Sequence, residues 1–293
     1  MKTPAIHPYR KWARYFIFVL AGVLIAWIIS NQSKVPAYPN SPRDFAEIDT
    51  DGVLRAVIEY ETLSLHAAGD SLGGLQWELL NDFARYYGWQ LQVYPKMEFS
   101  ERLQGLIQGT YDLIATAIPV NSTICDSILL SHPILTNHQV LVQRKASSDQ
   151  DSLYIKSQLD LAGKTIHVVK DSPALMRIHN LAGEIGDTIY IQEVERYGSE
   201  QLIFMVAHGD INYAVCDEST ASATLDSFPQ IDIHTAIGFT QFYSWGVNKT
   251  SHVLIDSLNT WLDYYKTTPE GIALYRRYGM KPGFIPKSLL RKR

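Results

Sequence analysis

The sequence predicts an α/β protein of two similar lobes facing one cleft, behind a single N-terminal transmembrane helix. Three observations carry this. Short apolar, β-prone runs alternate with helical stripes of four-residue spacing, in the order β-α-β-α-β. One pattern occurs twice: Gly109-Thr-Tyr-Asp112 with its apolar strand is echoed by Gly209-Asp-Ile-Asn212 and the strand Tyr213–Cys216, which ends on Asp217. Finally, a charge-free apolar run from Tyr15 to Ile29 follows a basic flank.

The chain has 293 residues, enough for one large domain or two lobes. Its composition, 46% hydrophobic and 19% charged, is ordinary for a globular protein, and a formal charge of −4 gives no reason to expect nucleic acid. Cys125 and Cys216 form no CxxC pair, and no His or Cys cluster has metal-ligand spacing, so neither metal nor cofactor is expected. A disulfide between one cysteine in each lobe would staple the cleft shut, so two free thiols are expected.

Lys2, Arg10, Lys11 and Arg14 precede the apolar run, and residues 1–14 contain no acid. The fifteen residues from Tyr15 to Ile29 are short for a span, which wants about 20. Trp12 and Trp27 suit the two membrane interfaces, and the basic flank should stay cytoplasmic. The alternative is a cleaved signal peptide, whose best site at Val35-Pro36-Ala37 would leave a mature end near Tyr38. The uncleaved reading is preferred: a cytoplasmic tail over 1–14, an inner-membrane anchor over 15–30, and a globular part in the periplasm. Residues 31–50, polar and with three prolines, read as a linker.

The first lobe is expected over 51–140 and 241–282. Val53 to Tyr60 reads as a strand. Gly73-Gly74 opens a helix through Leu75, Leu79, Phe83 and Tyr87, which Gly88 ends. Leu91 to Tyr94 is the next strand, and Phe99, Leu103, Leu106 and Ile107 mark a helix stopped by Gly109. Tyr111 to Ile118 is apolar enough for a central strand covered on both faces. The second lobe, 141–240, is entered through the strand Gln139–Arg144 and the polar loop Ala146–Asp151. It runs through Lys164–Lys170, a helix begun by Ser172-Pro173, the strand Thr188–Val194, a helix stopped by Gly209, and Ile211–Cys216. Ile231–His234 is short. Gln241–Val247 returns to the first lobe. Two helices follow, around Leu254–Tyr265 and Ile272–Tyr278, and residues 283–293 form a basic tail.

With these segments in order, the globular part resembles the family 3 extracellular solute-binding proteins over about residues 50–280. The resemblance rests on Gly52-Val-Leu-Arg-Ala-Val, Gly73-Gly-Leu-Gln-Trp-Glu-Leu-Leu, Leu106-Ile-Gln-Gly-Thr-Tyr-Asp-Leu-Ile, Leu130-Ser-His-Pro, Leu161-Ala-Gly-Lys-Thr-Ile-His-Val, Gly209 to Asp217, and Tyr275-Arg-Arg-Tyr-Gly. The chain is also similar to the sensor-like N-terminal module of the membrane-bound lytic transglycosylases F, and is expected to lack their transglycosylase domain. The resemblance implies a periplasmic-binding-protein-like (type II) fold of two Rossmann-like lobes. It implies a clamp that closes on a ligand about two hinge strands, Gln139–Arg144 and Phe239–Val247. Amino-acid receptors of the family fork an arginine onto the ligand carboxylate. Here Ile124 stands at the counted position, and no arginine occurs from Leu113 to Gln143.

Ligands of open α/β sheets sit beyond the carboxyl ends of the strands. That places Thr116, Ala117 and Ile118, then Asn121, Ser122 and Thr123, at the cleft; the last three read equally as a plain turn. Tyr60 and Glu61 end the first strand, where the resemblance implies a ligand contact; a solvated loop carboxylate is the other reading of Glu61. Ser172 matches the family's hydroxyl at a helix start, a position that N-capping explains as well. Asp171 stands where the family has Gly, and its charge should repel an anion. Asp217 matches the acid that holds a ligand amine, and reads otherwise as a turn aspartate. No nucleophile elbow or spaced triad appears, so no enzyme is expected. The expected function is a membrane-anchored solute-binding protein that closes on a small polar, amino-acid-like or amine-bearing ligand, for transport with a permease or for sensing. The alternative is a non-catalytic regulatory module of the cell-wall machinery, binding a muropeptide or a partner protein.

Overall fold

The computed structural model describes residues 41–148, 151–195 and 197–284, without the side chains of Ser122 and Thr123. The expected tail, anchor and cleavage site lie outside these residues, as do 31–40 of the linker and 285–293 of the C-terminal tail. Among the described residues no helix is long and apolar enough to cross a membrane.

Residues 41–50 are not linker. Phe45–Asp51 forms helix α1 because Asp44 and Glu47 make a reciprocal capping box, and Gly52, at φ 66°, closes its far end. The signal Asp44-x-x-Glu47 with Gly52 was present in the sequence, masked by the prolines before it. Asp44 also accepts the N–H groups of Val253 and Leu254 (3.1 and 2.7 Å), so one carboxylate caps two helices. Strand β1 (Val53–Ile58) follows, ending two residues before the expected Tyr60. Next come the hairpin β2 (His66–Ala68) and β3 (Ser71–Gly73), helix α2 (Leu75–Tyr87), β4 (Gln90–Pro95), α3 (Phe99–Ile107) and β5 (Leu113–Pro119). Asn121, expected to contact ligand or to form a plain turn, instead caps helix α4 (Ser122–Ser127) by accepting from Ile124 N–H at 2.9 Å. β6 (Leu129–Leu130) and β7 (Leu135–Asn137) complete this stretch.

One residue, His138, separates β7 from β8 (Gln139–Arg144), which belongs to the other sheet. The second sheet adds β9 (Thr165–Val169), helix α5 (Ala174–Ile185), β10 (Tyr190–Val194), helix α6 (Ser199–His208), β11 (Ala214–Asp217), helix α7 (Glu218–Thr224) and β12 (Ile231–Asp232). β13 (Gln241–Val247) returns to the first sheet, and α8 (His252–Tyr265) and α9 (Pro269–Arg277) pack upon that lobe. The first sheet runs β4-β1-β5-β13-β6, with β7 also on β13; the second runs β10-β9-β11-β8-β12. In the first sheet β1, β4 and β5 are parallel, as the β-α-β order requires, and β13 is antiparallel to β5. The chain therefore changes sheet at His138, just before the expected hinge strand Gln139–Arg144, and again between Gly238 and Gln241, at the start of the expected hinge segment Phe239–Val247.

Strand alternation builds the second lobe. Leu141 and Val215 face the core under α5, while Val140, Val142, Ala214 and Cys216 face the core under α6. In the first lobe Phe83, Trp245, Trp261 and Leu258 share one core. Burying each such side chain contributes about 1.5–3 kcal/mol. Gly283, expected to begin a fraying tail, is held instead: its N–H donates to Ile134 O, and its carbonyl accepts from buried Lys266 at 2.9 Å.

The repeated motif has a structural meaning. Gly109 and Gly209 end α3 and α6 in the left-handed region, at φ 76° and 85°. Three residues later Asp112 and Asn212 are each gripped by an arginine of a neighbouring strand, Arg55 and Arg144. At Gly109 a Cβ would also lie 2.2 Å from the Ser41 carbonyl carbon. Gly109→Ala is therefore expected to cost about 2–3 kcal/mol, strain plus clash. Gly186→Ala, at φ 73° with open space around it, should cost only about 1 kcal/mol. Thermal melts of the two variants check the difference.

Candidate functional site

The lobes enclose a cavity of about 100 Å³ beyond the carboxyl ends of β1, β5, β9 and β11. Pockets for drug-sized ligands run to roughly 300–1,000 Å³, so this one suits a solute of few heavy atoms. Its position follows from topology: parallel strands with helices returning on either side leave a crevice at their carboxyl ends.

Carboxylates from both lobes meet here. Glu59 and Glu61 follow β1 at a two-residue interval, and Asp217 ends β11 on the opposite wall. Glu200, on the first turn of α6, reaches across the cleft and accepts the Thr62 N–H at 2.9 Å. Asp217 Oδ1 accepts from Tyr243 Oη at 2.5 Å and from Gln139 Nε2 at 3.4 Å; Gln139 Nε2 also donates to Tyr243 Oη at 2.7 Å. This network joins the last strand of the first sheet to two strands of the second, beside the His138 crossing. Burial pushes Asp217 up to about 7, helped by the charge of Glu59 and opposed by the hydrogen bonds from Tyr243 and Gln139. Burial also raises Glu61 well above the usual carboxylate range, with Glu59, Glu200 and Asp217 adding to the rise and Thr220 opposing it. Three polar atoms of the lining residues, Glu61 Oε1, Thr116 Oγ1 and Arg102 Nε, are buried without a hydrogen-bond partner.

The residues expected at the site divide cleanly. Glu61, Thr116, Ala117, Ile118, Ser172 and Asp217 line the cavity. Tyr60 and Asp171 do not; both are exposed, Tyr60 at 51%. Asn121 is committed to capping α4, and the side chains of Ser122 and Thr123 lie outside the described part. Ile124 is 7% exposed and packs in a core with Val57, Leu106 and Ile114, so it does not face the cleft at all. The cavity does hold an arginine, but from an earlier element. Arg102 of α3 lies 3.1 Å from Glu59 and donates to the carbonyls of Lys96 and Met97. The reading from sequence also missed Glu59, Glu200, Gln139 and Tyr243. The two-residue step from Glu61 back to Glu59 could have found the first of these; the others converge only through lobe packing.

Chemistry by cysteine finds no support in this geometry. Burial, with Asp217 and Glu61 adding, holds the Cys216 thiol well above its usual range and protonated. Both cysteines are free, and Cys125 is exposed on α4. His132 pairs with Asp263, and His208 hydrogen-bonds Phe204 O. Among the described residues no group of three or more His, Cys, Asp or Glu is placed to hold a metal ion.

The model of the bacterial extracellular solute-binding proteins, family 3, matches residues 55–281. The chain is 26% identical over 211 residues to the membrane-bound lytic murein transglycosylase F of Shewanella sediminis, covering 72% of this chain and 42% of that protein. It is 24% identical over 271 residues to that of Desulfosudis oleivorans, covering 92% and 57%. The chain thus spans about half the length of these relatives. Among solved structures, a mutant of ArgBP from T. maritima aligns with a TM-score of 0.69 at 21% identity, covering 80% of this chain and 98% of that one. An ancestral arginine-binding protein bound to arginine aligns at 0.67 and 20%, covering 78% and 98%. These likenesses show the fold: two α/β lobes of the periplasmic-binding-protein type.

Proposed function

This chain belongs to the bacterial extracellular solute-binding proteins, family 3, and from that membership we propose that it is a non-catalytic module that closes its lobes on a small amine-bearing solute. The observation that carries this reading is the enclosed, unpartnered Glu61 Oε1, facing a cleft to which both lobes bring carboxylates. A buried acceptor without a donor costs about 1–3 kcal/mol, and an ammonium removes that cost. Closure then follows from charge. The three carboxylates without an ion pair, Glu61, Glu200 and Asp217, repel one another, and a cation between them turns repulsion into attraction. An ArgBP of T. maritima in its arginine-bound form and an ancestral arginine-binding protein bound to arginine, both neighbours in fold, agree with a basic ligand. We place the module outside the cytoplasmic membrane, tethered by the apolar N-terminal run, where it would deliver solute to a permease or report it.

The test is native mass spectrometry of the gently purified protein without added ligand, followed by small-angle scattering with and without a panel of amines and amino acids. A co-purified small base, or a fall in radius of gyration on adding one, is the expected result. A cleft that stays empty and unmoved by every solute defeats the proposal. A second reading has one observation behind it, the murein transglycosylase names of the relatives: the same clamp serves as a sensor for cell-wall machinery. Muropeptides or an envelope partner that stabilise the protein more than free amines would favour it.

A further inference from the structure

A ligand carboxylate needs charged or backbone donors, and those of the β9–α5 turn and of the lining cations are mostly committed. At the turn from β9 into α5, Asp171 N–H donates to Glu193 Oε2 at 3.1 Å and Ser172 N–H donates to Val169 O at 3.1 Å. Pro173 has no N–H, and Ala174 N–H donates to Ser172 Oγ at 3.2 Å. Asp171, itself at φ 55°, adds a negative charge to the same turn. The two cations of the lining are paired: Lys170 with Glu195 at 2.7 Å and Arg102 with Glu59 at 3.1 Å. One cationic donor remains, Arg102 Nε, buried without a partner. The start of α6 meets the cavity at Ser199, but Glu200 on its first turn already supplies the charge that a helix dipole favours.

Acceptors are in excess. Among the described residues, Glu61, Asp217 and Glu200 have no salt bridge, Glu61 Oε1 has no donor, and the Thr116 hydroxyl, which can donate or accept, has no partner. We infer that the cleft is selective for a compact dication lacking a carboxylate, a short diamine or a guanidinium-bearing amine, over the parent amino acid. This deepens the solute-binding reading and rests on it. One charged end meets Glu61 and Glu200, and the other meets Asp217 on the opposite lobe. A carboxylate on the same ligand would sit at the Ser172 turn, beside the charge of Asp171, or displace Glu59 from Arg102. The cavity's small volume suits such a chain of few atoms.

The test is calorimetric titration of the full chain with matched pairs differing only in the carboxylate: cadaverine against lysine, putrescine against ornithine, agmatine against arginine. The amine of at least one pair is expected to bind tenfold or more tightly than its parent amino acid. Glu61→Gln, near-isosteric, should weaken that amine at least tenfold, and Glu200→Gln should weaken it too. Amino acids that bind as tightly as their amines place the carboxylate on Arg102 and overturn the inference while the solute-binding reading stands. Amine affinity unmoved in both variants does the same, as does binding of glutamine without any diamine. No binding of any amine, amino acid or muropeptide overturns both.

Discussion

Asp112→Ala is expected to destabilise the protein by about 3–5 kcal/mol, the cost of removing one partner from a buried ion network. Asp112 is 1% exposed and lies between two guanidinium groups. It accepts from Arg43 Nε at 3.0 Å and NH2 at 2.5 Å, and from Arg55 NH2 and the Arg55 backbone N–H, both at 2.8 Å. Arg55 is fully buried and Arg43 nearly so. Without the aspartate, Arg55 loses the anion that faces it in the interior, whereas Arg43 keeps Asp51 and the Val53 carbonyl. Asp112→Asn retains part of the hydrogen bonding and should cost less than Ala. The equivalent site of the second lobe is a control. Asn212 is exposed and accepts from Arg144 at 2.7 Å, so Asn212→Ala should cost under about 1 kcal/mol. Urea midpoints at constant slope measure all three. An Asp112→Ala midpoint no lower than that of Asn212→Ala would mean that the aspartate does not hold the first lobe together.

That contrast shows what the chain makes legible. The repeat of Gly109-x-x-Asp112 in Gly209-x-x-Asn212 can be read in one dimension, because glycine stops and strand periodicity are local. The same local rules place α2, α3, β8 and β13 within a residue or two of their observed ends. Burial of the repeated polar residue is not local: Asp112 is sealed by Arg43, from the segment taken for linker. The cleft behaves likewise. Asp217 and Ser172 could be found because they sit where a strand ends. Arg102 could not, because α3 carries it into the cavity from a helix whose spacing says only that it packs. Ile124 shows the opposite error. The position of the family's carboxylate-binding arginine puts it in the cleft, but Asn121 starts a helix whose turn rotates position 124 into the core.

Asp217 is expected to make the cleft a pH-dependent clasp. Its carboxyl is raised to about 7 in the folded protein, against about 3.9 unfolded. The folded state therefore binds more protons between these values, and stability falls as pH rises through the window. The Asp217 contribution is fully present below about pH 4 and lost by about pH 7; it amounts to at most about 4 kcal/mol, and opening of the lobes relieves part of it. Glu61, raised in the same direction, adds to the trend. Acids lowered by local hydrogen bonds, such as Asp151 and Asp160, act in the opposite sense, so the comparison is between parent and Asp217→Asn across the same pH series. The parent should lose several degrees of melting temperature more than the variant between pH 4.5 and 7.5, and its radius of gyration should rise as the empty cleft opens. A cation bound between the lobes draws the carboxyl down. Ligand uptake near pH 6.5 should therefore release a proton, visible as binding heats that change with the ionisation enthalpy of the buffer. Parallel melting curves for parent and variant, with buffer-independent heats, would show that Asp217 stays ionised and that hydrogen bonding through Tyr243 and Gln139, rather than its charge, holds the lobes together.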